Sequence, residues 1–162
     1  MNAMTPAALT AVTTVAAVLG IGAPSAWAAP GVGAFGTQMQ VADIDGEGIG
    51  GYTVDDLQPS ATNELNVPLT GRVPLAGKLW EARATANAVS GSVVPAMQFF
   101  NARTADGQSY RVLEQTFAPD LSISPMSQGG ESAGKIYFDV TGSAPTEVVY
   151  DDGRERRVWA GS

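Results

Sequence analysis

The chain has 162 residues, 16 of them acidic and 9 basic, for a net charge of −7, and it contains neither histidine nor cysteine. Without imidazole or thiol, the usual Ser-His-Asp and Cys-His nucleophile systems are excluded, as are ordinary zinc centres, disulfides and acylation at a lipoprotein cysteine. The acidic balance repels phosphate backbones, so nucleic acid is not an expected partner.

Residues 1–28 carry no charged side chain and are rich in Ala, Val, Leu and Thr. Ala26-Trp27-Ala28 places small residues where a signal peptidase reads them, so a cleavable signal peptide is expected over 1–28, cut after Ala28. The pattern departs from the usual one in having no Lys or Arg ahead of the apolar stretch. Removing 28 of the 162 residues leaves 134, Ala29 to Ser162. That is one domain, long enough to bury about two-thirds of its unfolded surface without disulfides. The expected product is secreted, with no stable membrane anchor after cleavage.

Gly31 to Gly36 reads as a flexible lead-in and Thr37 to Val41 as a first strand. Asp43 to Gly51 is a turn-rich loop, followed by a strand over Tyr52 to Leu57 with Tyr52, Val54 and Asp56 on one face. Gln58 to Pro74 is a long connection with room for a short strand. Lys78 to Val89 alternates most clearly. Trp80, Ala82, Ala84, Ala86 and Ala88 share one face, and Glu81, Arg83, Thr85 and Asn87 the other, as in a half-buried antiparallel strand. Such small residues need large partners, for which Phe99, Phe100, Phe117 and Phe138 are candidates.

Val93 to Arg103 and Ser109 to Phe117 flank Asp106-Gly107, a pair suited to a two-residue type I′ turn. That register sets Arg103 opposite Tyr110 and Phe100 opposite Leu113. Gly134 to Thr141 alternates again, with Ile136, Phe138 and Val140 inward and Tyr137 on the polar face. Thr146 to Tyr150 and Arg154 to Trp159 bracket Asp152-Gly153, with Asp151 expected opposite Arg154. Seven or eight short strands without a helical period predict an all-β fold, a sandwich of two antiparallel sheets.

Carboxylates are the remaining source of chemistry. Asp43, Asp45 and Glu47 alternate along one turn and are candidate oxygen ligands for calcium, although the distal Glu of an EF-hand is missing. Asp55-Asp56 and Asp151-Asp152 are neighbours on strands, so their side chains diverge. No catalytic residue and no cofactor is predicted. Tyr137, on a polar strand face, is the candidate contact residue for a partner.

Two segments carry a family resemblance. They are Phe100 to Leu113, around Arg103-Thr104-Ala105-Asp106-Gly107, and Gly134-Lys135-Ile136-Tyr137-Phe138-Asp139-Val140-Thr141-Gly142. With Ala76 to Ala82, Gly91-Ser92-Val93 and Pro145-Thr146, they resemble the small secreted immunogenic antigens of mycobacteria. The resemblance implies an immunoglobulin-like β-sandwich recognised by the host immune response, with no catalytic motif to carry over. The chain departs from the family in its Asp151 to Arg157 hairpin, its neutral leader and its longer Gln58 to Pro74 connection. The expected function is a non-catalytic interaction module at the host or envelope interface, meeting a protein or glycan. The alternatives are a carboxylate-only hydrolase of envelope glycans and a calcium-stabilised envelope protein.

Overall fold

The computed structural model describes residues 31–67, 71–114, 121 and 123–161. In chain order the strands are β1 (Val32–Ala34), β2 (Gln38–Ala42), β3 (Ile49–Val54), β4 (Gln58–Pro59), β5 (Asn66–Val67) and β6 (Gly71–Arg72). Then follow β7 (Lys78–Ser90), a 3₁₀ turn (Met97–Phe99), β8 (Phe100–Arg103), β9 (Ser109–Arg111), β10 (Glu131–Val140), β11 (Glu147–Asp151) and β12 (Arg156–Ala160). The protein is all-β. One sheet runs β1-β12-β11-β8-β9 and the other β10-β7-β3-β2, with β4 also on β7; β5 and β6 pair separately. Every pairing is antiparallel except β1 with β12. No helix of the described residues is long and apolar enough to cross a membrane.

The alternation of β7 sets the core. Ala82, Ala84, Ala86 and Ala88 are all buried, and they leave room for large rings from the facing sheet. Phe100 on β8 fills that room. It meets Tyr52 and Tyr150 edge-on at 5.4 Å and stacks on Trp159 at 5.9 Å. Such pairs each add about 0.5–1.5 kcal/mol beyond their burial. Phe138 is also fully buried, but it stands beside the alanine row on β10, opposite Trp80, rather than across from it. Phe99 packs partly buried against the cluster, and Phe117 lies outside the described residues.

The two sheets meet at both sides. On one, Val112 bridges Phe138, and the Leu113 N–H donates to the Tyr137 carbonyl at 2.8 Å. On the other, side chains of β12 reach the backbone at the β2 edge of the second sheet. Arg157 Nε donates to the Gln40 carbonyl at 2.9 Å, and Trp159 Nε1 to the Thr37 carbonyl at 2.8 Å. An occupied edge carbonyl cannot template a further strand, so β2 is guarded.

Several details differ from the sequence expectation. In the β8–β9 hairpin, Arg103 faces Ser109 and Ala102 faces Tyr110, one residue away from the expected register. The Thr104 N–H donates to the Gln108 carbonyl, so the loop holds Ala105, Asp106 and Gly107. Gly107 alone takes the left-handed conformation (φ 90°), which gives a three-residue loop closed by a glycine rather than a type I′ pair. Phe100 consequently faces Val112, whose N–H it accepts, not Leu113.

In the last hairpin Asp151 faces Arg156, not Arg154. Gly153 (φ 82°) takes the first central position, so the turn pair is Gly153-Arg154. The charges there still pair within the hairpin: Arg154 with Asp152 at 3.2 Å and Arg157 with Glu155 at 2.6 Å.

Trp80 is only partly buried at the margin of the core, while Leu79 on the other face is nearly inaccessible. The connection after β4 folds back over Leu79: the Ser60 N–H donates to the Leu79 carbonyl, and the Leu79 N–H to Asn63 Oδ1. The expected Gln58 to Pro74 connection contains β4, β5 and β6. Val32–Ala34 forms β1 where a lead-in was expected, and Ile49–Gly51 belongs to β3 rather than to the preceding loop. The tight seat of that stretch explains its glycines: a Cβ on Gly48 would sit 2.3 Å from the Ser92 carbonyl oxygen. Asp56 lies beyond β3 and accepts the Arg83 N–H at 2.8 Å through Oδ1. Val93 to Phe99 is not strand but one bridge and a 3₁₀ turn.

Candidate functional site

Four segments converge beside β10 to form an apolar groove with a cavity volume of about 410 Å³. Its floor consists of Pro95, Ala96, Val112, Leu121 and Ile136, all buried. Its rim carries Ile44, Val94 and Ile123, which are 45%, 38% and 46% exposed. Among the described residues only Val32 is another large hydrophobic so exposed. The volume falls in the lower part of the roughly 300–1,000 Å³ range of ligand pockets.

Each rim residue is held by backbone bonds. Ile44 sits in the β2–β3 turn, where the Asp43 N–H donates to the Gly48 carbonyl and the Gly46 N–H to the Asp43 carbonyl, both at 2.9 Å. The tip of the β11–β12 hairpin clamps that turn from across the sandwich. Arg154 Nη1 donates to the Ile44 carbonyl at 3.2 Å, and its Nη2 to Asp152 Oδ2. The Asp152 side chain is only 2% exposed, and burial would raise its pKa. The N–H groups of Glu155 and Arg154 and the Arg154 guanidinium outweigh that, holding it below the usual carboxylate range.

Val94 follows Val93, which exchanges two backbone bonds with Met126 (2.9 and 2.8 Å), fixing the chain on which Ile123 lies. The Ala96 N–H donates to the Tyr52 hydroxyl at 2.9 Å. Burial pushes that phenol up to about 12, so it remains neutral at physiological pH. Polar groups at the groove are few: Gln98, Glu114 and Lys135. Lys135 Nζ is tied to Glu81 Oε1 at 2.7 Å across the neighbouring strand, and that hydrogen bond raises the lysine's pKa. Ser60 also donates to Glu81, at 2.8 Å.

Asp43, Asp45 and Glu47 do lie in one turn, but Asp43 is buried while Asp45 and Glu47 face solvent. Among the described residues no three carboxylates converge on a possible metal position. The residue of that turn presented to the groove is Ile44, which a reading directed at the carboxylates passes over. Tyr137 lies on the outer face of β10, half-buried opposite Glu81, and is not part of the groove lining. The one available signal for the groove was the occurrence of large aliphatics within turn-like, Gly-, Pro- and Ser-rich segments around Ile44, Val94 and Ile123.

Among the described residues the groove is lined mainly by apolar side chains, with Gln98, Glu114 and Lys135 as its polar members, on an all-β scaffold. The sequence matches the family described as a domain of unknown function, DUF1942, over residues 30–159, and the chain belongs to that family. It is 46% identical over 147 residues to the immunogenic protein MPT63 of Mycobacterium tuberculosis, covering 90% of this chain and 89% of the relative. The same figures hold for the immunogenic protein MPB63 of Mycobacterium bovis. The crystal structure of MPT63, described as a secreted protein, superposes with a TM-score of 0.68 at 45% identity, covering 80% of this chain and 95% of that one. The yjhA protein of Bacillus subtilis shares the fold at a TM-score of 0.51 and 13% identity, covering 79% and 98% of the two chains. The chain is a secreted immunogenic protein of the MPT63 kind, whose biochemical role is not established.

Proposed function

We propose that the protein is an immunoglobulin-like binding module, exported by a leader cut after Ala28, that acts without catalysis. Its groove receives an apolar group of a partner at the host or envelope interface. One observation carries this reading: three of the four large exposed hydrophobics among the described residues rim a single groove. Apolar side chains left in water at one concave place mark interaction sites more than scattered ones do. The lining favours a protein over a glycan, because a sugar's hydroxyls would lose water there without gaining partners.

The test uses the dye anilinonaphthalene sulfonate, which brightens in apolar sites. The wild-type protein should brighten it saturably, and Val94→Asp should abolish the signal. Val32→Asp, which alters the exposed hydrophobic away from the groove, should leave it intact. Equal signals from both variants, with near-ultraviolet dichroism unchanged, would refute the reading.

A further inference from the structure

We infer that Asp45-Gly46, in the β2–β3 turn, is a site of spontaneous isoaspartate formation, and that the fold protects the two other Asp-Gly pairs of the chain.

The sequence holds three such pairs: Asp45-Gly46, Asp106-Gly107 and Asp152-Gly153. In each, the glycine nitrogen can attack the carboxyl carbon of the aspartate side chain. A C–N bond forms and a C–OH bond breaks, and the amide proton leaves with the hydroxyl as water. Water then opens the succinimide at the former backbone carbonyl and breaks its C–N bond. The chain now runs through the side-chain carbon, with one extra methylene in its backbone, a carboxylate on the α-carbon and no change in mass. Glycine favours the attack because it has no Cβ to hinder it. The difference among the three pairs lies in the freedom of the carboxyl group to turn onto that nitrogen.

Two of the turns match in their backbones. In Asp43-Ile44-Asp45-Gly46 the glycine N–H donates to the Asp43 carbonyl at 2.9 Å, and in Thr104-Ala105-Asp106-Gly107 it donates to the Thr104 carbonyl at 3.0 Å. Both glycines are left-handed, at φ 73° and 90°, and both have open space where a Cβ would lie. The side chains differ. Thr104, itself buried, donates its hydroxyl to Asp106 Oδ1, and that bond holds the Asp106 carboxyl below the usual range. The ionised form reacts more slowly, because the leaving oxygen must first be protonated. In the other turn Asp43 stands in the position of Thr104, and a carboxylate accepts hydrogen bonds but donates none. The exposed Asp45 side chain has no hydrogen bond or ion pair among the described residues.

Asp152 is held most firmly. The N–H groups of Arg154 and Glu155 donate to its Oδ1 at 2.8 and 2.7 Å, and Arg154 Nη2 donates to its Oδ2 at 3.2 Å. The Gly153 N–H turns instead to Asp151 Oδ1 at 3.0 Å. Asp106 must lose one charge-assisted bond to react and Asp152 three, and one such bond corresponds to about tenfold or more in rate. The inserted methylene falls next to Ile44 on the groove rim, although the assignment does not rest on the role of the groove.

The experiment holds the purified secreted protein at physiological temperature and pH. Isoaspartate at each pair is quantified by peptide mapping with electron-transfer fragmentation, which separates isomers of equal mass. Asp45 should convert about tenfold faster than Asp106, and Asp152 more slowly still. In urea, where the bonds of the fold are gone, the three should convert at similar rates. Thr104→Val should speed Asp106 about tenfold, and Asp43→Thr, which installs the missing donor, should slow Asp45 by a similar factor. Conversion of Asp106 or Asp152 as fast as Asp45 in the folded protein overturns the assignment. The same ranking in urea overturns it too, since the flanking sequence and not the fold would then set the rates. So does a Thr104→Val protein in which Asp106 stays slow, or an Asp43→Thr protein in which Asp45 stays fast. If either variant does not fold, the comparison of folded and urea-unfolded wild type decides alone.

Discussion

Replacing Phe100 by alanine probes the packing of the core most directly. The ring is fully buried and contacts three others at 5.4–5.9 Å, while the alanine row opposite has no side chain long enough to collapse into the space it leaves. Burial and cavity terms together put Phe→Ala at about 3–5 kcal/mol. The upper half of that range is expected, because relaxation is limited to the surrounding rings. For the matched stretch of 130 residues (159 − 30 + 1), the unfolding entropy is roughly 0.27 kcal/mol per kelvin. The melting temperature should therefore fall by roughly 15–18 °C. Trp159, stacked on Phe100 and itself inaccessible, reports the same change by fluorescence. Urea unfolding followed by that emission and by far-ultraviolet dichroism should show coincident transitions with a lower midpoint and an unchanged slope. A loss under about 1 kcal/mol would mean that the rings repack, and the argument from the alanine face would fail.

Ala84→Leu should destabilise by about 1–3 kcal/mol through overpacking, whereas Arg83→Leu on the opposite face should change the urea midpoint little. Gly107→Ala, at φ 90° with open space around the added methyl, should cost about 1 kcal/mol from backbone strain alone, read by thermal melting. Asp152 is held below the usual carboxylate range, so its stabilising contribution is present above the unfolded-state value near 4 and is lost as pH falls through the lower folded value. The stability gap between wild type and Asp152→Asn should therefore be constant at neutral pH and narrow below about pH 4; a gap that widens on acidification would contradict the assignment.

The long strands were legible because β7 and β10 alternate over many residues, and a face buried at every second position leaves little freedom. Hairpin existence was legible too, from Asp106-Gly107 and Asp152-Gly153. Register was not, because an Asp-Gly pair is compatible with more than one loop. In one hairpin the glycine closes a three-residue loop, and in the other it opens a two-residue turn. The strands of two or three residues carry too little sequence to show a period. Trp80 keeps the face that alternation gives it and packs against the core only partly buried, because alternation says which residues share a face but not how far along the strand the cover extends. The groove left almost no trace: Ile44, Val94, Ile123 and Ile136 come from four separated segments, and only the folded chain brings them together.

The distribution of backbone partners explains why contact should concentrate beside β10. A sandwich of open sheets has edges to dispose of, and here most are closed from within. β2 is capped by Arg157, and β9 runs into β10 through Val112 and Leu113. β1 offers an edge of only three residues. Among the described residues the early half of β10 has a strand partner on one side only, and its Lys135 is engaged with Glu81. The groove opens beside it, lined by Lys135 and Ile136. The closed edges have their backbone groups satisfied, whereas the apolar rim still gains by burial. Substitutions that polarise the rim should therefore weaken contact, although they leave every backbone group of β10 in place.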